Sequence, residues 1–273
     1  MGETLSIHKF SKLSGVGSST LRYWDDLGVF SPLMRHPSNN YRYYSITQLP
    51  ELNFVTTLCE LQVPLKTIAD IQNGRNPERI LDLLEEHERK LDHEMAKLQI
   101  QYSIIHSRRE LMALGLKANE AEISVMALPE KNMLRWPRNE YEEGDTFINP
   151  LVSHVSKTDD YLINLSFPIA GYHETLGSFI ERPGCPDFFL SVDPMGQYKR
   201  VSGDYLVAYT RGYYGEFGDL PTRMMQYAKE HSINIIGPIY TVYLHEGICT
   251  KDPSDYLAQC SILIKREKTR SRP

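Results

Sequence analysis

Arg22, Tyr23 and Trp24 stand in one run and Tyr41, Arg42, Tyr43 and Tyr44 in another, with Arg35 between them and Lys66 beyond. Side chains of these types suit a nucleic-acid groove. A guanidinium pairs with phosphate or a guanine edge, and a phenol hydrogen-bonds to phosphate. Ser18 and Thr20, which open the first run, complete the candidate contacts. Three successive residues cover most of a helical turn and cannot all face one way, so Trp24 serves equally well as a core anchor. A second group is aromatic and comes late: Tyr205, Tyr209, Tyr213, Tyr214, Phe217, Tyr240, Tyr243 and Tyr256. A tyrosine hydroxyl needs a partner in a dry core, so some of these rings must line a cavity or a surface. Rings around a cavity grip flat apolar molecules, and a nearby acid adds preference for cations.

Catalysis finds no support. No Gly-x-Ser-x-Gly run, phosphate loop or His-rich metal spacing is present. Cys59, Cys185, Cys249 and Cys260 form no Cys-x-x-Cys pair, so neither a metal nor another cofactor is expected. The paired carboxylates Asp25-Asp26, Glu142-Glu143 and Asp159-Asp160 do not converge on one ligand as chain neighbours, and read as solvated faces or caps. Lys265, Arg266, Lys268, Arg270 and Arg272 make a basic tail.

The first group needs two short helices and a hairpin to position it. Ile7, Phe10, Leu13 and Val16 recur at helical spacing, and Gly15 and Gly17 break the pattern before Ser18 caps a second helix running to about Leu27. Pro32, Pro37 and Asn39-Asn40 then mark turns leading into the tyrosine-rich run, where strand alternation puts Tyr41 and Tyr43 on one face and Arg42 and Tyr44 on the other. Ser45 and Gln48 have capping-box spacing and open a third helix, with Pro50 in its first turn. A fourth starts near Pro64 and stops at Asn73-Gly74.

Asn76-Pro77-Glu78 supplies cap, first-turn proline and first-turn acid for a helix with no breaker before Gly115, roughly 55–60 Å long at ~1.5 Å per residue. Leu84, Leu91, Leu98, Ile105 and Met112 recur every seventh residue, with Met95 and Tyr102 on the intermediate seam, which His87, Glu94 and Arg109 interrupt. An exposed rod of this length has little to pack on except a partner, so an antiparallel homodimer pair is expected. From about Glu120 the texture turns β-branched and aromatic. Strands are expected over 123–128, 132–136, 161–170, 197–201, 205–211, 239–244 and 257–264, with helices over 146–157 and 219–231. Two strand–helix–strand halves then make an internal pseudo-repeat.

The chain has 273 residues, enough for two domains, and a net charge of −5, which leaves local placement of cations to decide DNA contact. No window approaches a membrane span and the N-terminus lacks a secretion signal, so a cytoplasmic protein with no membrane role is expected.

Thr20-Leu-Arg-Tyr-Trp-Asp-Asp-Leu-Gly-Val-Phe-Ser-Pro followed by Asn40-Tyr-Arg-Tyr-Tyr-Ser resembles the MerR family of bacterial transcription regulators over roughly the first 115 residues. Trp24 stands where the usual pattern has a second tyrosine. The resemblance implies a winged-helix dimer that binds near-palindromic promoter DNA and distorts it for bacterial RNA polymerase. Gly212-Tyr213-Tyr214, Gly237-Pro-Ile-Tyr-Thr-Val-Tyr-Leu244 and Tyr256 resemble the GyrI-like effector domains fused to MerR heads in multidrug-sensing regulators.

That second resemblance implies a hydrophobic aromatic small-molecule effector. Phe147, Phe217 and Tyr256 match aromatic drug contacts; Trp136, Tyr213 and Tyr243 join them from pattern. Thr241 stands where cation-sensing relatives carry a glutamate, leaving Glu246, read as a solvated loop acid, and Glu181 as candidate counter-charges. The expected fold is α+β: a winged helix-turn-helix over 1–75, a coiled-coil dimerisation helix over 76–117 and an α+β pseudo-repeat effector domain over 118–273. The expected function is a ligand-responsive activator, with control of efflux or resistance genes. A drug-sequestering or ligand-hydrolysing resistance protein with an autoregulatory head is the alternative.

Overall fold

The computed structural model describes residues 4–74, 76–157 and 166–265. Asp159-Asp160, the first part of the strand expected over 161–170 and the basic tail after Lys265 lie outside the described residues. The chain divides into two compact units, Met1–Ala96 and Lys97–Pro273.

In the first unit, β1 (Thr4–Ser6) leads into α1 (Ile7–Ser14), whose N-terminus is capped by the Ser6 side chain. Gly15 ends α1 at φ 76°, a left-handed conformation that glycine adopts without strain, and its N–H returns to Ser11. Helix α2 (Ser18–Asp26) follows, with Gly17 at the cap position. Ser18 is therefore the first helical residue and not the cap expected of it. β2 (Met34–Arg35) and β3 (Arg42–Ser45) form the wing, and β1 adds to β3 to give a three-stranded sheet. The Ser45–Gln48 capping box forms, although it opens a single 3-10 turn that continues into α3 (Leu49–Glu60). α4 (Leu65–Asn73) completes the four short helices.

One core holds the head together. Phe10 stacks on Tyr44 with ring centroids 4.7 Å apart, and Phe30 completes a triangle of near-parallel rings, 5.9 Å from Tyr44 and 6.2 Å from Phe10. Leu21, Trp24, Leu52, Val55 and Ile68 fill the space around them. Each such side chain contributes ~1.5–3 kcal/mol by leaving water.

Helix α5 runs from Pro77 to Gly115, and the Asn76 side chain accepts from the Glu78 N–H at 2.8 Å as its N-cap. Leu84, Leu91, Leu98 and Ile105 are 39–68% exposed, so the heptad seam faces solvent in the single chain. Met112 is half-buried. No helix among the described residues is long and apolar enough to cross a membrane.

The second unit carries one antiparallel eight-stranded sheet of order β4-β9-β11-β10-β6-β7-β5-β8. In chain order these are β4 (Ser124–Leu128), β5 (Lys131–Arg138), β6 (Ile169–His173), β7 (Phe188–Ser191), β8 (Tyr198–Arg200), β9 (Gly203–Arg211), β10 (Asn234–His245) and β11 (Leu257–Lys265). Helices α6 (Ile148–Lys157), α7 (Leu176–Glu181) and α8 (Leu220–Glu230) connect them. Strand alternation sends Ile239 and Tyr243 to the face covered by α7 and α8, and Tyr240 and Leu244 to the face that packs on Leu111 and Leu114 of α5. β6 begins at Ile169 and runs to His173, later than the strand expected to end at Ala170. β1, β7 and α7 have no counterpart in the sequence reading.

Candidate nucleic-acid interface and ligand cavity

Helix α2 presents Arg22 and Tyr23 to solvent, with Tyr23 55% exposed, and turns Trp24 inward, where 7% of it remains accessible. Trp24 is the core anchor; direct contact with DNA is closed to it. Ser18 and Thr20 are half-buried at the start of the same helix, and Lys66 is exposed on α4. On the wing, Tyr41 is exposed and meets the half-buried Tyr43 edge-on at 5.5 Å.

The two wing arginines are engaged otherwise than expected. Arg35 and Arg42 are direct cross-strand partners, an arrangement in which like charges repel. Asp25 resolves the conflict. Its carboxylate, 2% exposed, accepts from Arg35 Nη2 at 2.7 Å and from Arg42 Nε, while Asp26 accepts from Arg42 Nη2 at 2.8 Å. The Asp25 hydrogen bond is the leading cause that raises the Arg42 pKa. Asp25-Asp26 is thus a clamp joining α2 to the wing, which corrects the reading of this pair as a solvated cap. Arg42 acts as the strut between those elements, whereas Arg35, 41% exposed, also faces solvent. Beneath them, burial pushes the Tyr44 phenol up to about 12.

In the second unit, a cavity of about 300 Å³ opens beside α6. Phe147, Ile148, Leu151, Phe167, Ile169, Tyr214 and Ile248 give it apolar walls, and Arg108, Glu246 and Gly247 form its polar end. The Phe147 and Tyr214 rings stack at 5.7 Å. Glu246 accepts from Arg108 Nη1 at 2.8 Å on one oxygen and from the Tyr214 hydroxyl at 2.8 Å on the other. Arg108 Nε donates to the Ser166 carbonyl at 3.1 Å. Burial first, and Glu246 second, raise the Tyr214 pKa. A flat ring can slide against Phe147 and Tyr214, with Arg108 offering hydrogen-bond donors at one end.

Of the sequence candidates, Phe147 and Glu246 line this cavity. Glu246 is 25% exposed with both oxygens partnered, so it is not the solvated loop acid expected. Tyr243 stands directly behind Tyr214 at 4.8 Å, its hydroxyl donating to the Tyr213 carbonyl and accepting from Gly215 N–H. Tyr256 flanks Tyr214 at 5.3 Å, Phe217 is buried behind Tyr243, and Tyr213 is 40% exposed beside the cluster. Trp136 is 2% exposed and donates to Ser191 Oγ at 2.8 Å, a core position away from the lining. Thr241 is buried in β10, and Glu181 is exposed at the end of α7, outside the lining.

Arg108 was missed, and Tyr214, named among the late tyrosines, was not singled out as a contact. Tyr214 sits in the same Gly-Tyr-Tyr run as Tyr213, and nothing local distinguishes which ring turns inward. Arg108 looks like a solvated charge on a coiled coil. Among the described residues, no cluster of His, Cys, Asp and Glu could hold a metal ion.

A helix pair whose second member exposes Arg22 and Tyr23, clamped to a small wing, defines a winged helix-turn-helix DNA-binding protein. Residues 5–74 match the MerR HTH family regulatory protein domain. The head is therefore a DNA-binding domain of the MerR type. The chain is 24% identical to the multidrug-efflux transporter 2 regulator of Bacillus subtilis (strain 168), over 94% of this chain and 95% of that one. To the multidrug-efflux transporter 1 regulator of the same organism it is 22% identical, over 95% and 97%. Among solved structures, the EcmrR–DNA complex aligns over 96% of this chain and 100% of that one, at 16% identity and a TM-score of 0.38.

Proposed function

We propose that the chain works as a homodimer that binds near-palindromic promoter DNA through residues 1–75, pairs antiparallel through 76–117, and binds a hydrophobic aromatic effector through 118–273. Arg22, Tyr23, Tyr41 and Lys66 contact the duplex, with Ser18 and Thr20 beside them, while Asp25, Arg35 and Arg42 hold the wing at a fixed angle to α2. The exposed seam of Leu84, Leu91, Leu98 and Ile105 supports pairing, and pairing sets the spacing of the two reading helices.

The observation that carries the proposal is the aromatic cavity walled by Phe147 and Tyr214 in the same chain as a MerR head. Similarity along nearly the full length to two regulators named for multidrug-efflux transporters supports efflux or resistance genes as targets. An effector that binds one conformation of the dimer better by a few kcal/mol shifts it toward the form that bends and untwists the promoter for RNA polymerase. Run-off transcription from the promoter upstream of its own gene tests this: transcript rises on adding ligand, and output indifferent to ligand across an aromatic panel contradicts it.

A further inference from the structure

We propose that the cavity selects an uncharged aromatic molecule bearing a hydrogen-bond acceptor, and discriminates against lipophilic cations, because Arg108 already holds the cavity's acid. The inference rests on the reading of this cavity as the effector site and specifies the ligand class.

Glu246 is the one carboxylate among the residues that line the cavity. Its two oxygens are occupied by Arg108 Nη1 and the Tyr214 hydroxyl, each at 2.8 Å. The Arg108 and Glu246 side chains are 24% and 25% exposed, so water screens the pair only in part. A cation entering here meets a guanidinium together with a carboxylate and gains no net counter-charge to offset its own desolvation. An anion meets the same pair with signs reversed. Thr241, 2% exposed in β10, supplies no charge. A neutral ring system loses little on leaving water and stacks on Phe147 and Tyr214. Its acceptor faces the Nη2 end of Arg108, which takes no part in the bonds to Glu246 and Ser166.

Three rod-shaped biaryls of matched form test the assignment with the full chain: 4-phenylpyridine, its N-methylated cation and biphenyl-4-carboxylate. Equilibrium dialysis at mildly alkaline pH keeps the pyridine nitrogen uncharged. Wild type is expected to bind 4-phenylpyridine at least about tenfold more tightly than either ion, which corresponds to about 1.4 kcal/mol. In Arg108→Gln, Glu246 loses its counter-charge and the cation overtakes the neutral compound. In Glu246→Gln, Arg108 is freed and the carboxylate gains about tenfold. Tighter or equal binding of the cation or the carboxylate by wild type overturns the inference and leaves the effector-site reading standing. Failure of folded wild type to bind any of the three overturns both. The wild-type comparison decides the matter even if a variant does not fold.

Discussion

Asp25 is the residue on which the DNA-binding head turns. It places one buried carboxylate between two cross-strand guanidiniums, so its loss leaves Arg42, whose side chain is 19% exposed, facing Arg35 with no buried anion between them. Asp25→Ala is expected to lower stability by about 3 kcal/mol in urea unfolding, the lower end for breaking a buried pair. Asp26, 66% exposed, makes the second bond to the same arginine, and Asp26→Ala is expected to cost under about 1 kcal/mol. Equal losses would show that the clamp does not depend on burial. His173 gives a separate signature. Burial between β10 and Phe179 pushes its pKa from 6.5 down to about 4. Between those values the unfolded chain binds the proton and the folded chain does not. The stability of the neutral form is therefore complete above pH 6.5 and falls as pH drops toward 4, by on the order of 3 kcal/mol. His173→Phe should flatten that slope in urea midpoints taken across this range, and parallel profiles for the two proteins would contradict it.

The helices show which parts of the fold were legible in advance. Apolar spacing, the Gly15 stop, the Ser45 capping box and the Asn76 cap are local signals, and the structure places α1, α3, α4 and α5 where they point. Three-residue β1 and six-residue α7 carry too few residues to show a period, and form because tertiary partners exist for them. The cavity was half legible for the same reason. Its aromatic character is compositional, but the Arg108–Glu246 pair joins residues 138 positions apart, and Arg108 sits within a helix that reads as solvated coiled coil. The helix also carries its own prediction. Leu91 and Leu98 are 44% and 63% exposed, so replacing both by aspartate should spare the fold of one chain and bury charges only in a dimer. Sedimentation of Leu91→Asp/Leu98→Asp is expected to show a dimer weakened by about 100-fold or more, about 3 kcal/mol. An unchanged dimer would place the interface elsewhere.

Taken whole, the chain joins a reading head to a chamber whose polar end is built partly from the long helix. Arg108 belongs to α5, and Glu246 to the loop after β10, so a ligand that disturbs their pair acts on the helix as well as on the chamber wall. Coupling of this kind needs a ligand that binds one state better than the other; tight binding alone shifts nothing. The most direct measurement is run-off transcription with purified RNA polymerase, comparing wild type with the cavity-filling variant Ile148→Trp, each with and without 4-phenylpyridine. Ligand is expected to raise transcript from wild type several-fold and to leave the filled variant, still bound to the promoter, unresponsive. An equal response from both proteins, or none from wild type while dialysis shows the ligand bound, would contradict control of the promoter through this cavity.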